Sequence, residues 1–139
     1  MQQSDYILRE IEKISILLMG IMGKLKRKQE AKETVDETNY KGYCEEISEN
    51  AGFDLDSLFC VAPPGFDSFF KKHHGLDDRN IELLADIMLS MGEISPQPRK
   101  KIMLTKALNI YKYLDQRQKT FSMERASNIS RTEELLNNI

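Results

Sequence analysis

Two imidazoles and two carboxylates crowd into one stretch of this chain, His73-His74-Gly75-Leu76-Asp77-Asp78. Both residue types bind metal ions, so this is the first place to look for metal chemistry. The spacing argues against it. Neighbouring residues on a helix point about 100° apart, so adjacent histidines do not converge on one ion. The pattern predicts basic side chains at a helix C-terminus, followed by Asp77 or Asp78 capping the next helix. Cys44 stands beside Glu45 and Glu46, whose charges disfavour a thiolate nucleophile. Cys44 and Cys60 are too few for a disulfide framework and lack the spacing of a zinc pair. No Gly-rich phosphate loop, Gly-x-Ser-x-Gly elbow or His-Glu-x-x-His pair occurs. The expectation is therefore no metal, no cofactor and no catalytic centre.

Two other stretches could bind something. Lys24, Lys26, Arg27 and Lys28 follow an apolar helical run and could meet phosphates or an anionic membrane. Glu10, Glu12, Glu30 and Glu33 dilute that field, and a solvated helix end is the simpler reading. The whole chain balances 20 Lys and Arg against 22 Asp and Glu, without the basic excess usual in nucleic-acid binders. Phe59, Phe66, Phe69 and Phe70 mark an aromatic middle segment. It reads as a small core under loops, although a ligand pocket between helices would have the same composition. Tyr111 is expected in a helix seam and Tyr113 partly exposed.

The elements that must position these residues are helical throughout. At 139 residues one domain is expected, in three parts: a long amphipathic helix over 1–34, short helices and loops over 35–77, and three helices over 78–139. Ser4 or Asp5 is the expected first N-cap, Gly52 a left-handed cap for a helix holding Tyr40, Tyr43, Cys44 and Ile47, and Asp56 the cap of a short turn. Phe66, Phe69 and Phe70 fit another short helix closed by Gly75. Ile81, Leu84, Ala85, Met88 and Met91 define a helix stopped by Gly92, and Ser95-Pro96-Gln97-Pro98 a rigid connector. Leu104 to Leu114 and then Phe121 to Leu136 carry the last two. No stretch alternates with period two. The expected fold is all-α, a bundle of antiparallel hairpins with five to seven helices.

Ile7, Ile11, Ile14, Leu18, Ile21 and Leu25 recur at steps of four and three, which keeps one stripe facing a partner helix. Between Ile14 and Gly23 the apolar surface widens to Ile16, Leu17, Met19 and Met22. The stripe predicts a homodimer through this helix, with Gly20 and Gly23 at the closest approach; the alternative is that it packs on the chain's own C-terminal helices. The apolar run is far shorter than the roughly 18 residues that cross a bilayer. Acidic residues precede it and basic ones follow it, the reverse of a secretion signal. A cytoplasmic protein with no membrane and no nucleic-acid partner is expected.

The C-terminal third, roughly 78–136, resembles a tetratricopeptide-type repeat. Lys106-Ala107-Leu108 with Ile110 and Tyr111 looks like the second helix of such a unit, and Gly92 lies near the end of the first. It departs from that family in its long proline connector, its missing tryptophan and the lack of a second full copy. The whole chain also resembles a group of small bacterial proteins with an opening like Ser4 to Glu12, a phrase like Ala51 to Asp56, and an end like Lys106 to Leu114 with Thr120-Phe121-Ser122. That resemblance implies an all-helical fold and carries no activity with it. The leading expectation is a non-enzymatic interaction protein with an unknown protein partner. The alternative is a small-molecule binder or enzyme using the aromatic middle.

Overall fold

The stripe of the first helix turns inward. In the computed structural model, which describes residues 2–139 and side chains from Ser4 onward, Ile14, Leu18, Ile21 and Leu25 are buried and Ile7 and Ile11 half-buried. What covers them is the chain itself. The described residues form seven α-helices and no strand, so the fold is all-α: α1 (Gln2–Glu30), α2 (Glu37–Ala51), α3 (Leu55–Phe59), α4 (Phe66–Lys71), α5 (Asp78–Glu93), α6 (Arg99–Arg117) and α7 (Met123–Asn137), with a 3-10 turn at Pro63–Gly65. Helix α5 is central, packed on α1 along one side and α6 along the other. Helix α2 leans on α1, and α7 on α6. The place expected for a second copy's helix is thus taken by α5, and the stripe cannot be the face of a homodimer.

Apolar burial drives this arrangement, since each fully buried Leu, Ile or Met contributes roughly 1.5–3 kcal/mol. A polar seam sets its register. Asn80, wholly buried in the first turn of α5, donates through Nδ2 to the Ile11 carbonyl of α1 at 3.0 Å and to the Gly75 carbonyl at 2.7 Å. Its Oδ1 accepts from the buried Ser15 hydroxyl of α1 at 2.6 Å. Gly75 comes so close to α1 that a Cβ there would collide with Ile14 and lie 3.2 Å from the Glu10 carbonyl.

Several caps differ from the sequence expectation. Helix α1 starts ahead of Ser4 and Asp5, placing both inside its first turn, and ends at Glu30 rather than Thr34. Asp36 caps α2 in a reciprocal pair with Asn39, and Gly52 ends it in the left-handed conformation, φ 74°. Asp54, not Asp56, caps α3. Helix α4 stops at Lys71, before the histidines and Gly75. Gly92 lies inside α5 instead of ending it; a Cβ there would be 2.9 Å from Leu104 Cδ2, so glycine lets α6 approach. Phe121 precedes α7, which Ser122 caps.

Replacing Asn80 with Ala strands the Ser15 hydroxyl and the buried Gly75 carbonyl and removes the added bond to the Ile11 carbonyl. We expect a loss of about 2–4 kcal/mol, read as a lower urea midpoint at unchanged slope; a loss below about 0.5 kcal/mol would show that the seam does not tie α1 to α5.

Candidate functional site

The clusters singled out by residue type serve mainly as structure. His73 and His74 lie in the turn after α4, not on its last turn. The His73 ring packs 5.0 Å from Phe69 and 5.5 Å from Phe53, and its burial lowers its pKa, while His74 is exposed. Asp77 caps α5, accepting from the Asn80 amide at 3.0 Å. No group of three or more His, Cys, Asp or Glu among the described residues is placed to hold a metal. Burial raises the Cys44 pKa, reinforced by Asp56 and Asp54 and opposed by a hydrogen bond with Tyr40. The direction matches the sequence reading, but the cause is burial and not Glu45 or Glu46. Lys24 pairs with Glu46 and Lys28 with Glu33, each at 3.4 Å, which blunts the basic end of α1.

Half of the aromatic middle is core, while Phe59 and Phe69 are half-buried. Phe66 and Phe70 are buried, stacked with each other and with Tyr113, whose hydroxyl donates to Asp67 at 2.8 Å. Burial pushes Tyr113 up to about 12, helped by that hydrogen bond. Tyr111 is fully buried and donates to Asp86; Tyr113 is half-buried, as expected.

Among the surfaces that the described residues leave open, three combine apolar and polar groups in ways that bear on binding. The first is the outward face of α1. Leu8, Ile16 and Met19 are 62%, 67% and 52% exposed. Ile16 and Met19 lie within about a turn of Gly20, where an added Cβ would meet nothing within 4 Å, and Met19 lies one turn before Gly23, where it would meet only the Arg27 guanidinium at 3.8 Å.

The second surface is a groove of about 460 Å³ with α5 as floor and α1 and α7 as walls, lined by Met19, Met22, Leu83, Asp86, Glu124 and Asn128 among others. Beside it Arg125, 2% exposed, holds α7 in place. Its guanidinium donates to both Glu82 carboxylate oxygens at 3.0 and 2.8 Å, to Asp115 at 3.0 Å and to Gln118 at 2.6 Å. The hydrogen bonds to Glu82 above all, then to Asp115, raise its pKa and keep it charged despite burial. Burial pushes Asp86 up to about 6, opposed by the hydrogen bond from Tyr111 and reinforced by Glu82 and Glu124.

The third is a cavity of about 400 Å³ between α3 and α6, lined by Phe59, Pro98, Lys101, Ile102, Thr105 and Lys106, with Gln97 and Asn109. Lys106 is 8% exposed and donates to the Val61 carbonyl at 2.6 Å, with its ammonium 5.2 Å from the centre of the Phe66 ring. Burial lowers its pKa.

No protein-family model, curated protein or solved structure matches this chain. What it can do is therefore read from these surfaces alone. No helix among the described residues is long and apolar enough to cross a membrane.

Sequence reasoning took Lys106 only as part of a repeat-like phrase and did not single out Arg125 or Asn80. Each stands at a position of an apolar stripe: Lys106 between Met103 and Ile110, Arg125 four residues before Ile129, and Asn80 four before Leu84. A charged or amide residue at such a position was the available signal.

The raised Asp86 carboxyl has a consequence for stability. Below its unfolded value of 3.8 it adds no pH dependence; as pH rises from there through about 6, the fold holds the proton more tightly than the unfolded chain, and stability falls. Asp86→Asn keeps an acceptor for Tyr111 and abolishes this fall. Between about pH 4 and pH 7 the native protein should lose roughly 1 kcal/mol more than the variant, after discounting for partial exposure. Parallel pH profiles in denaturation would refute the shift.

Proposed function

We propose that this protein is a non-enzymatic helical interaction module of the cytoplasm that forms a homodimer through the outward face of α1. One observation carries the reading. Gly20 and Gly23 weaken α1 by roughly 1 kcal/mol each relative to Ala, yet no neighbour within the chain needs their small size. Exposed Ile16 and Met19 border them. Glycines in mid-helix beside exposed apolar side chains suit the close approach of another helix.

A second copy of α1, antiparallel across a two-fold axis, is the occupant that fits. With the axis midway between Ile16 and Gly20, Ile16 of each copy lies opposite Gly20 of the other, large against small. This face differs from the stripe Ile7, Ile11, Ile14, Leu18, Ile21 and Leu25, which the core uses. It retains the glycines expected at the contact.

The groove over α5 then faces a protein partner. Its methionines adapt to varied apolar side chains, and Asp86 and Glu124 face one cation, Lys26, along it, while nearby Glu82 and Asp78 are paired with Arg125 and Arg117. It suits a segment carrying apolar and basic residues.

Light scattering on the native protein should give twice the 16.1 kDa of one chain at micromolar concentration. Because Ile16 faces solvent within one chain, Ile16→Glu should produce a monomer with unchanged circular dichroism, whose melting temperature no longer depends on protein concentration. A native mass of 16.1 kDa, or a dimer that survives Ile16→Glu, would refute this interface.

A further inference from the structure

We propose that the cavity between α3 and α6 binds a small amphipathic carboxylate, with its apolar body against Phe59, Pro98 and Ile102 and its charge beside Lys106. The site lies apart from the outward face of α1, so its success or failure is independent of the dimer.

The starting point is a largely buried lysine side chain whose charge has no counter-charge among the described residues. Lys106 projects from the middle of α6 and is 8% exposed. Buried ammonium groups are ordinarily paired with a carboxylate, because losing water is costly and only an opposite charge compensates for it. Among the described residues, Lys106 forms no ion pair. Its ammonium donates to the Val61 carbonyl and lies near the Phe66 ring face. A lysine has three protons to donate, and the Val61 bond uses one. The partial charges of a carbonyl and a ring face leave the net positive charge in place, and burial accordingly lowers the pKa of the group.

Lys106 forms part of the wall of the cavity, which is about 400 Å³ and within the range of small-molecule sites. No carboxylate lines it. Lys101 adds a second positive charge at the rim, and Thr105 and Asn109 offer neutral hydrogen-bonding groups. Ile102, 46% exposed, and half-buried Phe59 present apolar surface to the opening. An inorganic anion would leave that surface wet, and a neutral apolar molecule would leave the ammonium unpaired. A carboxylate on a compact apolar body satisfies both, and it offers the Lys106 ammonium a charged acceptor beside the Val61 carbonyl.

The test uses 2-naphthoate as probe, followed by amide chemical shifts of the full chain. Saturable binding is expected, with the largest shifts at Ile102, Thr105, Lys106 and Asn109. On the same unmodified protein, neutral 2-naphthamide should bind roughly tenfold more weakly or worse, the loss of one charge-assisted hydrogen bond. Lys106→Gln should weaken naphthoate by a similar factor, while Lys106→Arg, which keeps the charge, should stay within a few-fold of native. Lys101→Gln, on the exposed rim and free of the Val61 tether, should weaken it less. If Lys106→Gln does not fold, the naphthamide comparison and Lys101→Gln decide. No saturation in the millimolar range, shifts centred elsewhere, equal binding of the amide, or undiminished binding by folded Lys106→Gln would each overturn the proposal.

Discussion

One buried amide fixes how the long first helix meets the rest of the chain. Asn80 spends its donor and acceptor capacity on α1 and on the turn that leads into its own helix, reaching the Ile11 carbonyl, the Ser15 hydroxyl and the Gly75 carbonyl. Apolar packing alone would let α1 slide along α5, since Leu and Ile side chains interchange at small cost. Hydrogen bonds do not slide, because a shifted register leaves buried groups unpaired. Gly75 makes the contact possible by leaving room for Ile14. Once α1 is locked in this register, its inner stripe is covered, its outer face with Ile16 and Gly20 looks to solvent, and Met19 and Met22 edge the groove over α5.

The far side of α5 is held by a different balance. Gly92 admits α6 closely, and the α5–α6 seam is apolar from Leu84 and Met88 to Leu104, Ile110 and Tyr111. Helix α7 has a sparser apolar face, with Ile129, Leu135 and Leu136 only half-buried. Charge makes up the difference. Arg125 ties α7 to Glu82 of α5 and Asp115 of α6, and its geometry leaves none of the network's buried atoms unpaired among the described residues. Arg131 adds a pair with Glu93, at 2.6 and 2.7 Å. Removing one partner from such a buried pair costs far more than the pair contributes over an apolar substitute. This explains why carboxylates crowd beside the groove; Asp86 among them is driven toward its neutral form chiefly by burial.

Much of the fold was legible in the sequence, because helical period reports which face is buried. The α1 stripe, the α2 end at Gly52 and the α5 and α6 faces follow from residue spacing and one left-handed glycine. Period does not say what covers a face, so α5 could not be told from a second copy of α1. Gly92 misled for a related reason. A glycine that serves close packing looks, in one dimension, like a glycine that ends a helix. Asp54 and Asp56 are both competent caps, and the choice depended on Asp56 being engaged by the Tyr40 hydroxyl at 2.6 Å, a contact across 16 residues. The candidate sites were less legible. Residue type drew attention to His73 and Cys44, which pack as structure, and to exposed His74, while Lys106 entered only within the repeat-like phrase Lys106-Ala107-Leu108.

The account stands on α1 being part of the chain's own core and not a detachable arm. Native-state hydrogen exchange tests this most directly, because amides in one cooperative unit open with one free energy. At any one protein concentration, amides of residues 14–25 in α1 should exchange with the same free energy of opening as those of residues 81–91 in α5, and the two should change together on dilution. Opening of α1 at markedly lower free energy than α5 would contradict the account.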